Sequence, residues 1–370
     1  MAGGLDGVVA AQTRLSDVDG ERGELVIAGF PLDELAEHAT FEETTWLLWH
    51  GELPSPAELD RFRAALAASR ALPGPTIALL RECAHADVDP MDALRIAAGT
   101  LSLLSAEATA IVARVPTIVA SYFRLRRGLE PVLPDEELGH AANYLHMLTG
   151  QSPDAEQVRA LETYLNTVID HGLNASTFTA RVITSTGSDL VSAVVGAIGA
   201  LKGPLHGGAP GPALDMVFEI GDASRAEAVL RRKLENGERL MGFGHRVYKV
   251  RDPRADVLAR AAERLFTRSG DLPFYTLARA VEHEALRLLE TYKPGRRLQT
   301  NVEFYTALLL HGLGLDVSLF TPTFAASRVS GWIAHALEQQ RTNRIIRPQS
   351  EYTGPRGRSW IALPGRVATA

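Results

Sequence analysis

Apolar and polar positions alternate along most of this chain with the spacing of amphipathic helices, and only its beginning departs from that rhythm. There TRLSDV and ELVIAG read as two short strands, with Asp19, Gly20 and Gly23 supplying the turn chemistry of a hairpin. Helix signals then follow one another. Ser55, Pro56 and Glu58 form a capping signature, with proline at the first helical position, for a helix running to about Arg70. Ser224 with Glu227 repeats the device before AVLRRKLEN, and Gly237 stops that helix. Pro153, Pro212 and the pair Asp252 and Pro253 open others, for a total above ten. Pro116 lies inside the apolar stretch 108–125, which predicts a kink or a division into two helices. No βαβ alternation occurs, so a Rossmann-like sheet is not expected. The fold class read from the pattern is all-α with a short N-terminal β-hairpin.

Length changes this picture by adding a second domain. A chain of 370 residues exceeds one comfortable core, so two domains with a cleft between them are expected. No internal repeat or low-complexity linker marks the boundary. The glycine-proline cluster GPLHGGAPGP at 203–212 is the best hinge, and 312–320 is a weaker one. The expected division is a large domain from 1–209 and 315–370, with a smaller domain, 210–314, inserted in it.

Hydrophobic residues at 46% and charged residues at 22% are an ordinary globular balance. A net charge of −6 gives no general attraction to nucleic acid or an anionic membrane, so an anionic ligand needs a local basic cluster. The single cysteine, Cys83, forms no internal disulfide, and no CxxC pair suggests zinc or redox work. The N-terminus lacks the basic start and apolar core of a secretory signal. The most apolar stretch, 190–201, is far short of the ~20 residues that cross a bilayer. A cytoplasmic protein with a small ligand fits these features.

Two histidines stand in glycine-rich breaks between helices. His206 lies in GPLHGG, where Gly207 and Gly208 allow close backbone approach to a ligand; a plain helix terminator explains the same residues. His245 lies in GFGHRVYKVRDPR. There Gly242 and Gly244 leave amides open while Arg246, Lys249, Arg251 and Arg254 crowd together, which suits phosphate or carboxylate better than a solvated loop. His171 precedes small and hydroxylated residues, DHGLNASTFTARV, where Asn174 or Ser176 also reads as a helix cap. Glu303 in TNVEFYT, taken alone, reads first as a charge complementing a helix start or facing the surface, and only second as a site carboxylate. Arg328 sits in the apolar FAASRVSGWIAHAL, and Arg347 follows another apolar pair; each wants an anion, from protein or ligand. The lone GxG is no dinucleotide fingerprint, and neither a P-loop nor HExxH is present.

In order and spacing, GPLHGG, GFGHRVYKVRDPR, TNVEFYT and FAASRVSGWIAHALEQ resemble the citrate synthases, and the similarity runs from GLDGVV to RPQSEYTG. The resemblance implies an almost wholly helical fold with a large domain, a smaller mobile one, and a homodimer. It also implies no cofactor beyond a coenzyme A thioester that is itself substrate, and no metal. His206 matches the donor to the thioester oxygen and His245 the residue polarising the ketone of oxaloacetate. Glu303 stands where the family usually has an aspartate base, and its TNVEF context is similar to a subset of the family. His171, Arg254, Arg328 and Arg347 match carboxylate clamps, with Arg347 expected from the other subunit. Leu240, Met241, Gly242, Phe243 and Gly244, with Arg246 and Lys249, resemble the CoA-binding segment, open amides reading the adenine and cations the phosphates. Asn174, Ser176 and Asn301 match supporting positions. The implied reaction is acetyl-CoA, oxaloacetate and water giving citrate and CoA. A propionyl-CoA-using 2-methylcitrate synthase is the near alternative. From other classes, a non-catalytic CoA or carboxylate sensor and a metal hydrolase built on His171, His206 and His245 are the competitors.

Overall fold

The computed structural model describes residues 3–5, 7–103, 107–207 and 210–360. Gly208, part of the expected hinge, and the end of the expected C-terminal piece of the large domain lie outside the described residues.

Among the described residues the chain forms sixteen α-helices. They are α1 (Leu32–His38), α2 (Phe41–His50), α3 (Pro56–Ala68), α4 (Gly74–His85), α5 (Pro90–Gly99), α6 (Ala108–Arg126), α7 (His140–Thr149) and α8 (Ala155–Val168). There follow α9 (Ala175–Ser185), α10 (Leu190–Leu201), α11 (Pro210–Ile220), α12 (Ala226–Glu235), α13 (Pro253–Ser269), α14 (Leu272–Tyr292), α15 (Val302–Gly312) and α16 (Phe320–Arg341). The expected hairpin is β1 (Ser16–Asp19) with β2 (Glu24–Ile27), Val18 facing Leu25, and a short third strand, β3 (Phe30–Pro31), extends the antiparallel sheet.

Capping chemistry explains most boundaries and corrects three readings. The Ser55–Glu58 box opens α3 as expected. At α12, however, Asp222 takes both the Ser224 amide (2.9 Å) and the Ser224 hydroxyl (2.6 Å), so Ser224 is itself capped inside a short 3₁₀ turn and α12 begins after it. Helix α8 is opened by an Asp154–Gln157 box, with Pro153 just outside. Pro212 lies within the first turn of α11, where a missing N–H leaves no bond unmade. Helix α6 is not divided at Pro116. Nearly every side chain from Ala110 to Tyr122 is buried, and packing against α4, α5, α7 and α16 outweighs the ~3 kcal/mol that an interior proline costs.

Helix α16 runs through the core, touching α2, α6, α8, α9 and α10, and is buried on all sides along most of its length. Its buried polar residues, Thr323, Ser327, Arg328, Ser330, His335 and Gln339, therefore need partners inside the protein. Helices α11 to α15 pack mainly on one another: α12 on α14, and both α11 and α13 on α15. Helix α13 also lies along α8 and α1, where Arg260, Arg264 and Arg268, one turn apart, meet Glu37, Glu156 and Asp154.

Candidate active site

The first part of the site is built at the start of α9. Asn174 is the cap, its Oδ1 accepting the Thr177 amide at 3.1 Å and lying 2.8 Å from Ser176 Oγ, whose one proton is shared between this oxygen and His206. Ser176 Oγ also accepts from Trp332 Nε1 at 3.0 Å and lies 2.8 Å from His206 Nε2. The Ser176 amide, which can only donate, is 3.3 Å from the same ring nitrogen. Nε2 is thus an acceptor, and the proton of the neutral ring belongs on Nδ1. Burial and the nearby Arg328 charge lower the His206 pKa to about 4, so the ring is neutral at pH 7. His206 sits in a turn after α10 that its own amide closes onto Gly203 O at 2.9 Å. A Cβ on Gly207 would lie 2.4 Å from Leu201 O, so this glycine lets the turn pack on α10 and serves the fold before any ligand.

His245 is fixed from the other side. Its Nδ1 accepts the amides of Val247 (3.0 Å) and Tyr248 (3.1 Å), which places the ring proton on Nε2. Burial and the Arg254 charge bring its pKa down to about 4. Arg254 Nη2 lies 3.2 Å from Nε2. With the ring proton on Nε2 both groups are donors, so the pair offers two N–H donors side by side to an acceptor oxygen. Arg254 is itself buried and held in a fork by Asp252, at 3.0 and 2.8 Å. Asp252 also caps α13 and takes the Val302 amide at 3.2 Å, so one carboxylate ties Arg254 to the start of α15.

Glu303 occupies the first turn of α15, its amide bonded to Asn301 Oδ1 at 3.0 Å. Its carboxylate has no hydrogen bond among the described residues. Burial raises its pKa to about 7 against the pull of Arg254. His171 packs edge-on to His245, ring centroids 5.7 Å apart, and its Nε2 is 3.1 Å from Tyr248 Oη. Burial and the charges of Arg254 and Arg328 hold its pKa well below the usual histidine value. Arg328 gives Nε to Val168 O at 2.5 Å, while its buried Nη2 has no hydrogen-bond partner. Burial drops its pKa to about 10 despite Asp170 nearby.

One of the amides expected to be open in the CoA-binding segment is taken within the protein. The Gly244 amide goes to Gln299 O at 2.7 Å. The Gly242 and Gly244 carbonyls accept from the Asn301 amide (3.0 Å) and side chain (2.8 Å), and Phe243 forms a bridge with Thr300. Leu240 and Phe243 are buried, and Met241 packs partly exposed beside them. Arg246 and Lys249 are exposed at the surface of the same loop, Lys249 Nζ reaching Arg246 O at 3.1 Å. Arg347 is not brought to the cluster; it is exposed in the irregular stretch after α16.

Several contributors were not singled out from sequence for these roles. Asp252 read only as a helix start, and Tyr248 not at all. Asp170 is fully buried next to His171, with Ser16 Oγ at 2.5 Å and His335 Nε2 at 3.3 Å; burial pushes its pKa up, but His335 and Arg328 outweigh this and hold it low. The available signals were an acid adjoining a candidate histidine and one two residues before a candidate arginine.

No helix among the described residues is long and apolar enough to cross a membrane. The family model described as "Citrate synthase, C-terminal domain" matches residues 4–349. Citrate synthase 2 of Bacillus subtilis is 43% identical, with 98% of this chain and 99% of that one covered. The 2-methylcitrate synthase of Mycobacterium tuberculosis is 42% identical, over 98% and 92%. Among solved structures, a citrate synthase of Thermoplasma acidophilum, in ternary complex with carboxymethyl coenzyme A and oxaloacetate, superposes with a TM-score of 0.90 at 29% identity, covering 99% of each chain. With neutral histidines, buried arginines and a carboxylate of raised pKa gathered on this helical frame, the chain belongs to the citrate synthase family of acyltransferases.

Proposed function

We propose that this protein condenses acetyl-CoA with oxaloacetate and water to give citrate and CoA, working in the cytoplasm as a homodimer without a further cofactor. The observation that carries the reading is the juxtaposition of two donors, His245 Nε2–H and Arg254 Nη2, 3.2 Å apart. This is a site for a ketone oxygen that gains negative charge as the new carbon–carbon bond forms. Glu303 takes a proton from the thioester methyl group, and its pKa of about 7 matches that task near neutral pH. His206 donates its Nδ1 proton in a hydrogen bond to the thioester oxygen, stabilising the enol or enolate while remaining neutral. That carbon attacks the ketone, and water then cleaves citryl-CoA to citrate and the free thiol.

Arg328, with a buried Nη2 left unpaired by the protein, and His171 hold the carboxylates, and Arg347 reaches them from the partner subunit. Leu240, Met241, Gly242, Phe243 and Gly244 form the CoA-side wall, with Arg246 and Lys249 near the phosphates. A small domain at 210–314, closing on a large domain of 1–209 and 315–370, shields the enol from water. The pairing of a CoA analogue with oxaloacetate in the Thermoplasma acidophilum relative supports this choice of substrates.

The M. tuberculosis relative supports a second reading, propionyl-CoA to 2-methylcitrate. One methylene in an acyl pocket is worth ~1–3 kcal/mol, so the enzyme accepts both thioesters with different efficiency. Thiol release with each acyl-CoA, with and without oxaloacetate, decides the matter. A higher kcat/KM for acetyl-CoA supports the first reading and a higher one for propionyl-CoA the second. Stabilisation by ligands with no thiol release would sink both and leave a sensor.

A further inference from the structure

The loops carrying His171 and His245 come from distant parts of the chain, and they meet directly through the contacts of His171 with Tyr248 and His245. A second tie runs through the N-terminal hairpin. On β1, Ser16 Oγ donates to Asp170 Oδ2 at 2.5 Å and accepts the Gly172 amide at 2.9 Å, so one hydroxyl grips the residues on both sides of His171. At the hairpin turn, Gly20 O accepts the Lys249 amide at 2.8 Å. A Cβ on Gly20 would lie 2.3 Å from Val247 O and 2.8 Å from Val247 C. Both obstacles are backbone atoms, so any side chain here moves the loop or the hairpin. Val247 and Tyr248 are the residues whose amides hold His245 Nδ1.

The hairpin is fixed to the body of the protein. Leu25 and Ile27 of β2 are buried, and the Arg14 amide just before β1 bonds Glu338 of α16 at 2.8 Å. It thus presents two contacts, at Ser16 and Gly20 of one anchored ribbon, to the two loops whose rings stand 5.7 Å apart.

We propose that the β1–β2 hairpin is a positioning element for oxaloacetate binding, with Ser16 setting the His171 loop and Gly20 the His245 loop. The proposal rests on the reading that these histidines hold oxaloacetate. Neither Ser16 nor Gly20 touches substrate; each acts through the loop it holds. Displacement of a binding group on the order of 1 Å is worth up to ~100-fold, so loosening one loop has a measurable effect.

The test uses the full chain with Ser16→Ala, Ser16→Thr and Gly20→Ala, measured by thiol release with each substrate varied in turn. Ser16→Ala and Gly20→Ala are expected to raise KM for oxaloacetate about tenfold or more. KM for the acyl-CoA should stay within about twofold, and Ser16→Thr, which keeps the hydroxyl, should restore the wild-type value. General destabilisation lowers the active fraction and thus apparent kcat, without this split. An unchanged oxaloacetate KM, or an equal rise in both KM values, overturns the proposal. Absence of thiol release by the wild-type protein defeats the reading of the site instead. Amide hydrogen exchange then judges the hairpin: faster exchange at Gly172 in Ser16→Ala and at 247–249 in Gly20→Ala supports it, and unchanged exchange overturns it.

Discussion

Glu303→Gln preserves the shape of the first turn of α15 and deletes one charge, so it separates what the carboxylate does for catalysis from what it costs the fold. Burial raises the Glu303 pKa from an ordinary 4.5 to about 7. The folded protein therefore holds this proton more tightly than the unfolded chain. The resulting stability is complete below about pH 4.5 and lost as pH rises through about 7. At about 1.4 kcal/mol for each pH unit separating the two values, the loss approaches ~3 kcal/mol by pH 8, an upper figure because the side chain is partly exposed. Glutamine does not titrate, so the variant should be more stable than wild type at pH 8, by up to ~3 kcal/mol, and no more stable at pH 4.5. Without a proton acceptor its thiol release should fall ~10²–10⁴-fold. Glu303→Asp, retracting the carboxylate by about 1.5 Å, should lose ~100-fold. Urea unfolding at both pH values and initial rates from pH 6 to 9 give the two readouts. In wild type the rate should climb through pH 7 as Glu303 ionises. A Gln variant with wild-type rate, or with no stability advantage at pH 8 over that at pH 4.5, would refute the assignment.

Asp252→Asn removes the buried partner of Arg254 and should cost ~3–5 kcal/mol in urea unfolding, with a weaker oxaloacetate site; an unchanged midpoint would contradict the fork described here. Arg328→Met should raise KM for oxaloacetate ~30-fold or more while leaving that for the thioester nearly constant, since Nη2 has no protein group to serve; a uniform fall in kcat alone would argue for a purely structural arginine. Because His206 and His245 are held near pKa 4 in the folded state and titrate near 6.5 when unfolded, they stabilise the protein above pH 6.5 and lose that contribution as pH falls toward 4. The thermal midpoint should decline across this window, and the decline should lessen in His206→Gln; an equal decline in both proteins speaks against the buried neutral ring.

Local chemistry was legible in the sequence wherever one side chain settles one boundary. The α3 capping box and the glycine-rich hairpin turn are of that kind. Where two candidates adjoin, as Asp222 and Ser224 do, only the hydrogen-bond geometry decides which one caps. Pro116 left a kink and a division both open, because propensity counts the lost backbone bond and not the packing around α6 that keeps the helix undivided. The same split holds for the site. Histidines in glycine breaks and an arginine in an apolar helix announce themselves by being unusual. Asp252 hides behind an ordinary helix-start role, and Ser16 lies 154 residues from the aspartate it binds. Gly244 suggested an exposed amide, because nothing local reveals that Gln299 returns to accept it.

That return has a practical side. The chain leaves at Gly244, runs out along α13, turns at the exposed Gly270, comes back along α14 and rejoins its starting point at Gln299. Glu282, midway along α14, fastens the returning arm to Arg251, Thr300 and Tyr305. Anything spliced in at the tip near Gly270 lengthens a loop whose two ends are already clamped together, so a reporter or a tether inserted there would ride on the enzyme without shifting a reacting atom.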